Sequence, residues 1–299
     1  MLIDSNRIIE QKLDNHLVEL ENELEADLLV YVGAITSPAN DLIRDAIEFV
    51  KDRSKRRKLG VILETPGGYI EVAQRIADTF RHHYRIVEFI VPSYAMSAGT
   101  VLVMSGDAIY MDYYSVLGPI DPQVERPNSD KLVPALGYLA QYERLIKESQ
   151  TRKLSNAEIT YLVQNFNPAE LYQFEQEKIL SISLLQEWLV KYKFKNWKRT
   201  QRHRRVVTRQ IKKDRAKEIA DKLGDVDRWH SHSRGISMAV LKKDLNLRID
   251  DFGSDKSLNS KIKSYYGLLK DYTARRDHGM IVLHVRGRYF GISFHHHYH

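Results

Sequence analysis

The chain has 299 residues, with 46 Lys/Arg against 39 Asp/Glu, a formal net charge of +7 and a sequence pI near 9.3. Apolar residues at 43% and charged residues at 28% are the composition of a folded chain, in one large domain or two smaller ones, and exclude a disordered tail. The absence of cysteine excludes a disulfide scaffold, a Cys-ligated metal or cluster and a cysteine nucleophile. No stretch approaches the roughly 18 apolar residues of a membrane span. The opening MLIDSNRIIEQKLDNHL lacks the basic start and unbroken apolar run of a signal peptide, so the expectation is a cytoplasmic protein.

In chain order, residues 5–25 predict an amphipathic helix, with Ile9, Leu13, Leu17, Leu20 and Leu24 at spacings of three and four. Leu28–Ile35 is a short apolar run, read as a buried strand. Asn40–Lys58 predicts a helix with Asn40 as N-cap. Gly60–Glu64 is a second strand, stopped by Thr65-Pro66-Gly67-Gly68, and Tyr69–Tyr84 a helix. Arg85–Val91 is a third strand, Ser97–Ser105 a short helix of small residues and Ala108–Met111 a fourth strand. This alternation predicts a parallel sheet covered on both faces.

Beyond residue 130 the character changes. Lys131–Lys153 and Pro168–Tyr192 predict long helices, with a shorter one between. From Lys191 to Lys217 there are thirteen Lys/Arg and one acid, Asp214. That segment carries +12 of a total of +7, which leaves the rest of the chain at −5. The basic run leads into a helix ending near Leu223, and a break at Gly224–Gly235 contains Trp229-His230-Ser231-His232. A short helix, a helix near Ser257–Arg276 and closing strands at Met280–His284 and Tyr289–Phe294 follow.

Two turns at successive strand ends carry the chemistry. Pro66-Gly67-Gly68 lets the backbone turn sharply and exposes amide N–H groups suited to an oxyanion. Ser97, in Ala95-Met96-Ser97-Ala98-Gly99-Thr100, sits where a strand turns into a helix. Its hydroxyl is exposed there at a positive helix end, with the Ala98 amide as a second oxyanion donor. Taken singly, the glycines make a plain turn and Ser97 an N-cap. Together they mark the carboxyl ends of the strands, where parallel sheets collect ligands.

The stretches ETPGGYIEVAQRIAD and AMSAGTVLVMSGDAIYMDYYSVLGPIDPQ resemble the Clp/crotonase fold. Within it they are similar to serine proteases of the signal peptide peptidase A type, and most of all to the serine dehydrogenase proteinase family. The resemblance is specific over about residues 27–153. It implies an α/β fold: a Clp/crotonase-like parallel sheet with flanking helices, followed by a mainly helical C-terminal region. The expected organisation is an N-terminal helix at 1–26, a catalytic core at 27–165 and the helical region, with its basic segment, at 166–299.

The resemblance makes Ser97 the nucleophile of a serine peptidase that needs no ATP, and Gly67 or Gly68 with Ala98 its oxyanion hole. A serine hydroxyl needs an adjacent proton acceptor. No histidine occurs between His83 and His203, whereas the Clp protease has one about 25 residues after its serine. Signal-peptide-peptidase-like enzymes use a lysine near a helix start, which Lys131 matches. Lys147, inside the helix, and a distant histidine such as His230 or His232 are the alternatives. Asp121 either orients the base or stabilises a turn. His230 and His232 read better as capping or packing residues than as a metal site, and no cofactor is implied.

The expected partners are a peptide or protein substrate, further copies of the chain in a homo-oligomer, and an anionic partner at the basic segment 191–217. Any membrane contact would be peripheral. Trp197 and Tyr192 within the basic run invite a nucleic-acid reading, although no nucleic-acid motif is present. The alternative function is therefore a nucleic-acid- or protein-binding module on an inert Clp-like scaffold. A crotonase-type acyl-CoA enzyme would keep the fold and the hole but not need Ser97.

Overall fold

The computed structural model describes residues 4–120, 123–126, 129–200, 204–229 and 234–293; only the backbone is described at 123–126, 129–140 and 226–227. The chain runs α1 (Ser5–Leu24), β1 (Asp27–Gly33), α2 (Ala39–Lys51), β2 (Lys58–Glu64), α3 (Ile70–His83) and β3 (Ile86–Ile90). Then come β4 (Tyr94–Ala95), α4 (Ala98–Met104), β5 (Ala108–Met111) and β6 (Val116–Leu117). A hairpin, β7 (Gln123–Arg126) and β8 (Ser129–Pro134), leads into α5 (Ala135–Ser149), α6 (Asn156–Asn165) and α7 (Pro168–Trp188). A π-helical turn at Leu189–Lys193 precedes α8 (Arg209–Leu223), α9 (Val226–Trp229), β9 (Ile236–Ser237) and α10 (Met238–Lys243). The chain closes with β10 (Asp250–Asp251), α11 (Lys256–Arg275), β11 (Ile281–Val285) and β12 (Arg288–Ile292).

The central sheet has seven strands in the order β10-β5-β3-β2-β1-β11-β12. The five strands from β10 to β1 are parallel; β11 and β12 add an antiparallel edge beside β1. The expected α/β architecture, a parallel sheet with flanking helices, is thus present, and β11 and β12 belong to the same sheet. β1 and β2 (DLLVYVG and KLGVILE) are almost wholly buried, because helices cover both sides and polar alternation would strand polar groups in the core. On one face lie residues of α2, α3, α4, α7 and α8. On the other, Leu13, Leu17 and Leu20 of α1 share a cluster with Leu258, Ile262, Tyr265 and Leu269 of α11. Each such side chain, fully withdrawn from water, contributes about 1.5–3 kcal/mol.

Several boundaries differ from the sequence expectation: α2 ends at Lys51 rather than Lys58, which already belongs to β2. Asn40 is not the cap of α2; the helix begins at Ala39 and Asn40 is buried within its first turn. The helix expected from Lys131 begins only at Ala135, because Ser129–Pro134 pairs with Gln123–Arg126 as β8. Pro134 accounts for this: a residue preceding proline is driven away from helical geometry, so Val133 stays extended.

Candidate functional site

The site grows from the way the ends of β2 and β4 are tied together. The Thr65 N–H donates to Tyr94 O at 3.1 Å, and the Met96 N–H to Thr65 O at 3.0 Å. The Pro-Gly-Gly turn and Ser97 therefore leave the sheet side by side. Gly67 has φ +102°, and a Cβ there would lie 2.8 Å from Met96 O and 2.9 Å from Ser97 Cβ. Gly68 has φ +148°, and its Cβ would lie 2.2 Å from Ile35 O. Both positions need glycine for conformation and for space. Ile35 straddles the turn: its N–H donates to Gly67 O at 2.7 Å, and its carbonyl accepts the Tyr69 N–H at 2.9 Å.

Ser97 is buried and stands immediately before α4 with φ 49° and ψ −120°. This region is close to glycine-only, so a serine there stores backbone strain. The Met96 carbonyl accepts the Gly99 N–H at 2.8 Å and the Ser97 carbonyl accepts the Thr100 N–H at 2.8 Å. The Gly67 N–H is occupied by Thr65 Oγ1 at 3.1 Å. Among the described residues, the N–H groups of Gly68 and Ala98 have no acceptor. Of the three amides expected at this site, the structure thus leaves two open and ties up one.

Thr100 holds the neighbouring loop. Its hydroxyl lies 2.8 Å from Ala95 O and 2.9 Å from Gly118 O, one of which takes its single proton, and it accepts the Gly118 N–H at 3.0 Å. The start of Gly118-Pro119-Ile120 is thereby fastened to the Ser97 turn. Beneath the turn, Glu64 is buried and pairs with Lys270 of α11 at 2.9 Å. Burial and this carboxylate push the Tyr94 phenol pKa up. Thr65, Thr100 and Glu64 were not singled out from the sequence. Thr100 lies inside the quoted SAGT motif, and its spacing from Ser97 was the available signal.

The base candidates are placed unevenly. Lys131 lies in β8, whose backbone alone is described. Lys147 is exposed in the last turn of α5. Asp121, His230 and His232 lie outside the described residues. Among the described residues no cluster of three or more His, Asp or Glu could hold a metal, and no helix is long and apolar enough to cross a membrane. The basic segment runs along the π-helical turn, the following loop and α8, and lines a cavity beside the β3–β5–β10 edge of the sheet that Ser97 does not line.

Residues 39–152 match the family model of ClpP-like SDH-type serine proteinases. That bears out the resemblance carried by the PGG and SAGT motifs. Two curated relatives come from Methanocaldococcus jannaschii, the uncharacterized proteins MJ0137 and MJ1495. The first is 35% identical over 92 residues, 31% of this chain and 32% of its own length. The second is 35% identical over 86 residues, 29% of this chain and 27% of its own length. The chain thus spans about a third of the length of these relatives. A solved structure of a mutant 1510-N membrane-bound stomatin-specific protease, in complex with a substrate peptide, aligns with 90% of this chain and 89% of its own. It does so at 16% identity and a TM-score of 0.43.

Proposed function

We propose, for a chain whose residues 39–152 match the ClpP-like SDH-type serine proteinases, that it is a serine peptidase acting through an acyl-enzyme on Ser97. The observation that carries this reading is local. A strained serine stands beside two amide N–H groups, of Gly68 and Ala98, that no described acceptor takes. Gly68 is exposed and Ala98 buried; an unpartnered buried N–H is costly, and a developing oxyanion would accept from both groups. Gly67 serves the turn rather than the hole, because its N–H already has an acceptor.

In the proposed reaction Ser97 Oγ attacks the carbonyl carbon of a peptide bond as its proton passes to Lys131 Nζ. The tetrahedral oxyanion accepts hydrogen bonds from Gly68 and Ala98. It collapses with departure of the amine, which takes the proton from lysine. Water, deprotonated by the same amine base, then releases the acid and regenerates Ser97. A lysine serves here only if its surroundings lower its pKa towards neutrality. Lys131 is favoured over Lys147 because it lies in the β7–β8 hairpin, the next element in the chain after the Gly118–Ile120 segment fastened to the Ser97 turn, whereas Lys147 is exposed.

The homo-oligomer belongs to the same proposal. Helices α6 and α7 present exposed Ile159, Tyr161, Val163, Tyr172 and Ile179, more apolar surface than a solvated helix pair needs.

The test compares three variants on a casein or peptide substrate. Ser97→Ala and Lys131→Ala are expected to remove hydrolysis, with Lys147→Ala near wild type. Full activity in Ser97→Ala would end the peptidase reading at this serine. Loss in Lys147→Ala with retention in Lys131→Ala would reassign the base.

A further inference from the structure

The basic segment builds one wall of a cavity of about 1360 Å³ at the β3–β5–β10 edge of the sheet. Eight Lys/Arg and only three carboxylates line it. The carboxylates are already engaged. Glu88 pairs with Lys58 at 2.8 Å, Asp107 with Arg81 at 2.8 Å and with Lys195, and Asp250 with Arg248 at 3.5 Å. Lys198, Arg199 and Arg204 line the same space with no ion-pair partner among the described residues, and Lys193 beside them makes no ion pair but is attracted by Asp250, Asp107 and Glu88. These positions come from the end of the π-helical turn and the loop before α8, so the chain gathers cations where its own acids do not neutralise them.

We propose that this cavity is a binding site for a chain of phosphates, three or more in succession. The proposal rests on the cavity and its charge, and is independent of the peptidase reading. Its volume exceeds the roughly 300–1,000 Å³ of an ordinary small-ligand pocket, so it admits an extended polyanion. Phosphates supply about one charge per 3.4 Å along a single strand, and a terminal phosphate carries about −1.5 to −2 charges with three strong acceptor oxygens, against one charge and two oxygens for a carboxylate, which suits a cluster of cations that lack ion-pair partners. Arginine forks suit phosphate oxygens in particular. Lys193 supports the site: its surroundings desolvate the ammonium and lower its pKa to about 8, a cost that a bound anion would offset.

The Tyr192 ring is covered, and Trp197 is held in place by its neighbours. The Arg81 guanidinium covers the Tyr192 ring at 3.7 Å. Trp197 tilts against Phe194 at 5.5 Å and donates its indole N–H to Arg199 O at 3.1 Å. Recognition is accordingly of phosphates, not of bases, and the source is either a free oligophosphate or the backbone of a nucleic-acid strand.

Calorimetric titration of the full chain with inorganic tripolyphosphate, with octathymidylate and with octaglutamate distinguishes these cases. Tripolyphosphate is expected to bind with an affinity that falls linearly in log–log form with salt, and octaglutamate at least tenfold more weakly. Tighter binding of octathymidylate than of tripolyphosphate assigns the strand as the source; the reverse assigns a free oligophosphate. The double variant Lys198→Glu/Arg199→Glu is expected to lose more than tenfold. Lys256→Glu/Lys263→Glu, on exposed positions of α11, makes the same charge change and is expected to keep binding within threefold. Equal losses in both variants, no tripolyphosphate binding at low salt, or octaglutamate binding as tightly would overturn the proposal. Circular dichroism melts of each variant report folding separately. Phosphate binding is read whether or not Ser97 reacts, so either proposal can fail alone.

Discussion

A methyl group on Gly67 would meet Ser97 Cβ at 2.9 Å. The Ser97 turn and the glycine turn are packed to contact, and neither can change without moving the other. Gly67→Ala also forces an L-residue to φ +102°. The variant is expected to lose about 1–3 kcal/mol of stability and at least tenfold in kcat/KM. Thermal melts and a peptide assay at a temperature where the variant is folded check both. Unchanged kcat/KM would mean that the two turns are not coupled in function.

Ser97 itself sits where glycine is preferred, at φ 49° and ψ −120°. Ser97→Gly is expected to abolish hydrolysis yet raise stability by about 1 kcal/mol relative to Ser97→Ala, which keeps the strain. Urea unfolding of the two variants measures the difference. If Ser97→Gly is the less stable of the pair, the strain argument is wrong.

Thr100 bridges the serine turn and Gly118 through its hydroxyl. Thr100→Val retains the shape and removes the hydrogen bonds, with an expected loss of about 1–3 kcal/mol from buried groups left unpaired. Thr100→Ser is expected to recover most of it. A Thr100→Ser variant as unstable as Thr100→Val would point to packing of the methyl group instead.

Asp107 ties the basic segment to the sheet. Burial favours its neutral form, but hydrogen bonds from Lys195, the Val87 N–H and Arg81 outweigh that and hold the carboxyl below its ordinary 3.8. Its contribution is therefore present above that pH and is lost as pH falls through the lowered folded-state value. Asp107→Asn is expected to cost about 2 kcal/mol at pH 7, a deficit that shrinks below about pH 4. Denaturant titrations at pH 7, 4 and 3 follow it; a constant deficit would contradict the assignment.

The strands of the parallel sheet were readable because each is a short apolar run closed by a turn, as in Gly60–Glu64 before Pro66-Gly67-Gly68. The pairing of β11 beside β1 was not. Val30 meets His284 across some 250 residues of chain, and nothing local in Ile281–Val285 specifies that partner. The site was legible as motifs, since only glycine suits the geometry at 67 and 68. Its division of labour was not, because the hydrogen bond that occupies the Gly67 N–H comes from a threonine rotamer. The strand at Lys131 had a signal that went unused: Val133 before Pro134 argues for extended chain. The π-helical turn at Leu189–Lys193 follows α7 where Trp188 and Leu189 lie in the core, and periodicity alone predicts an uninterrupted helix there.

The central claim is that Ser97 is the reacting group, and covalent labelling tests it most directly. The protein is treated with a fluorophosphonate and digested with trypsin, and the peptide from Ile86 to Lys131 (the Arg126-Pro127 bond resists trypsin), which holds Ser93, Ser97, Ser105, Ser115 and Ser129, is fragmented. One adduct per chain, on Ser97 and absent from Ser97→Ala, is the predicted result. An adduct on another serine, or equal labelling of Ser97→Ala, would contradict the account.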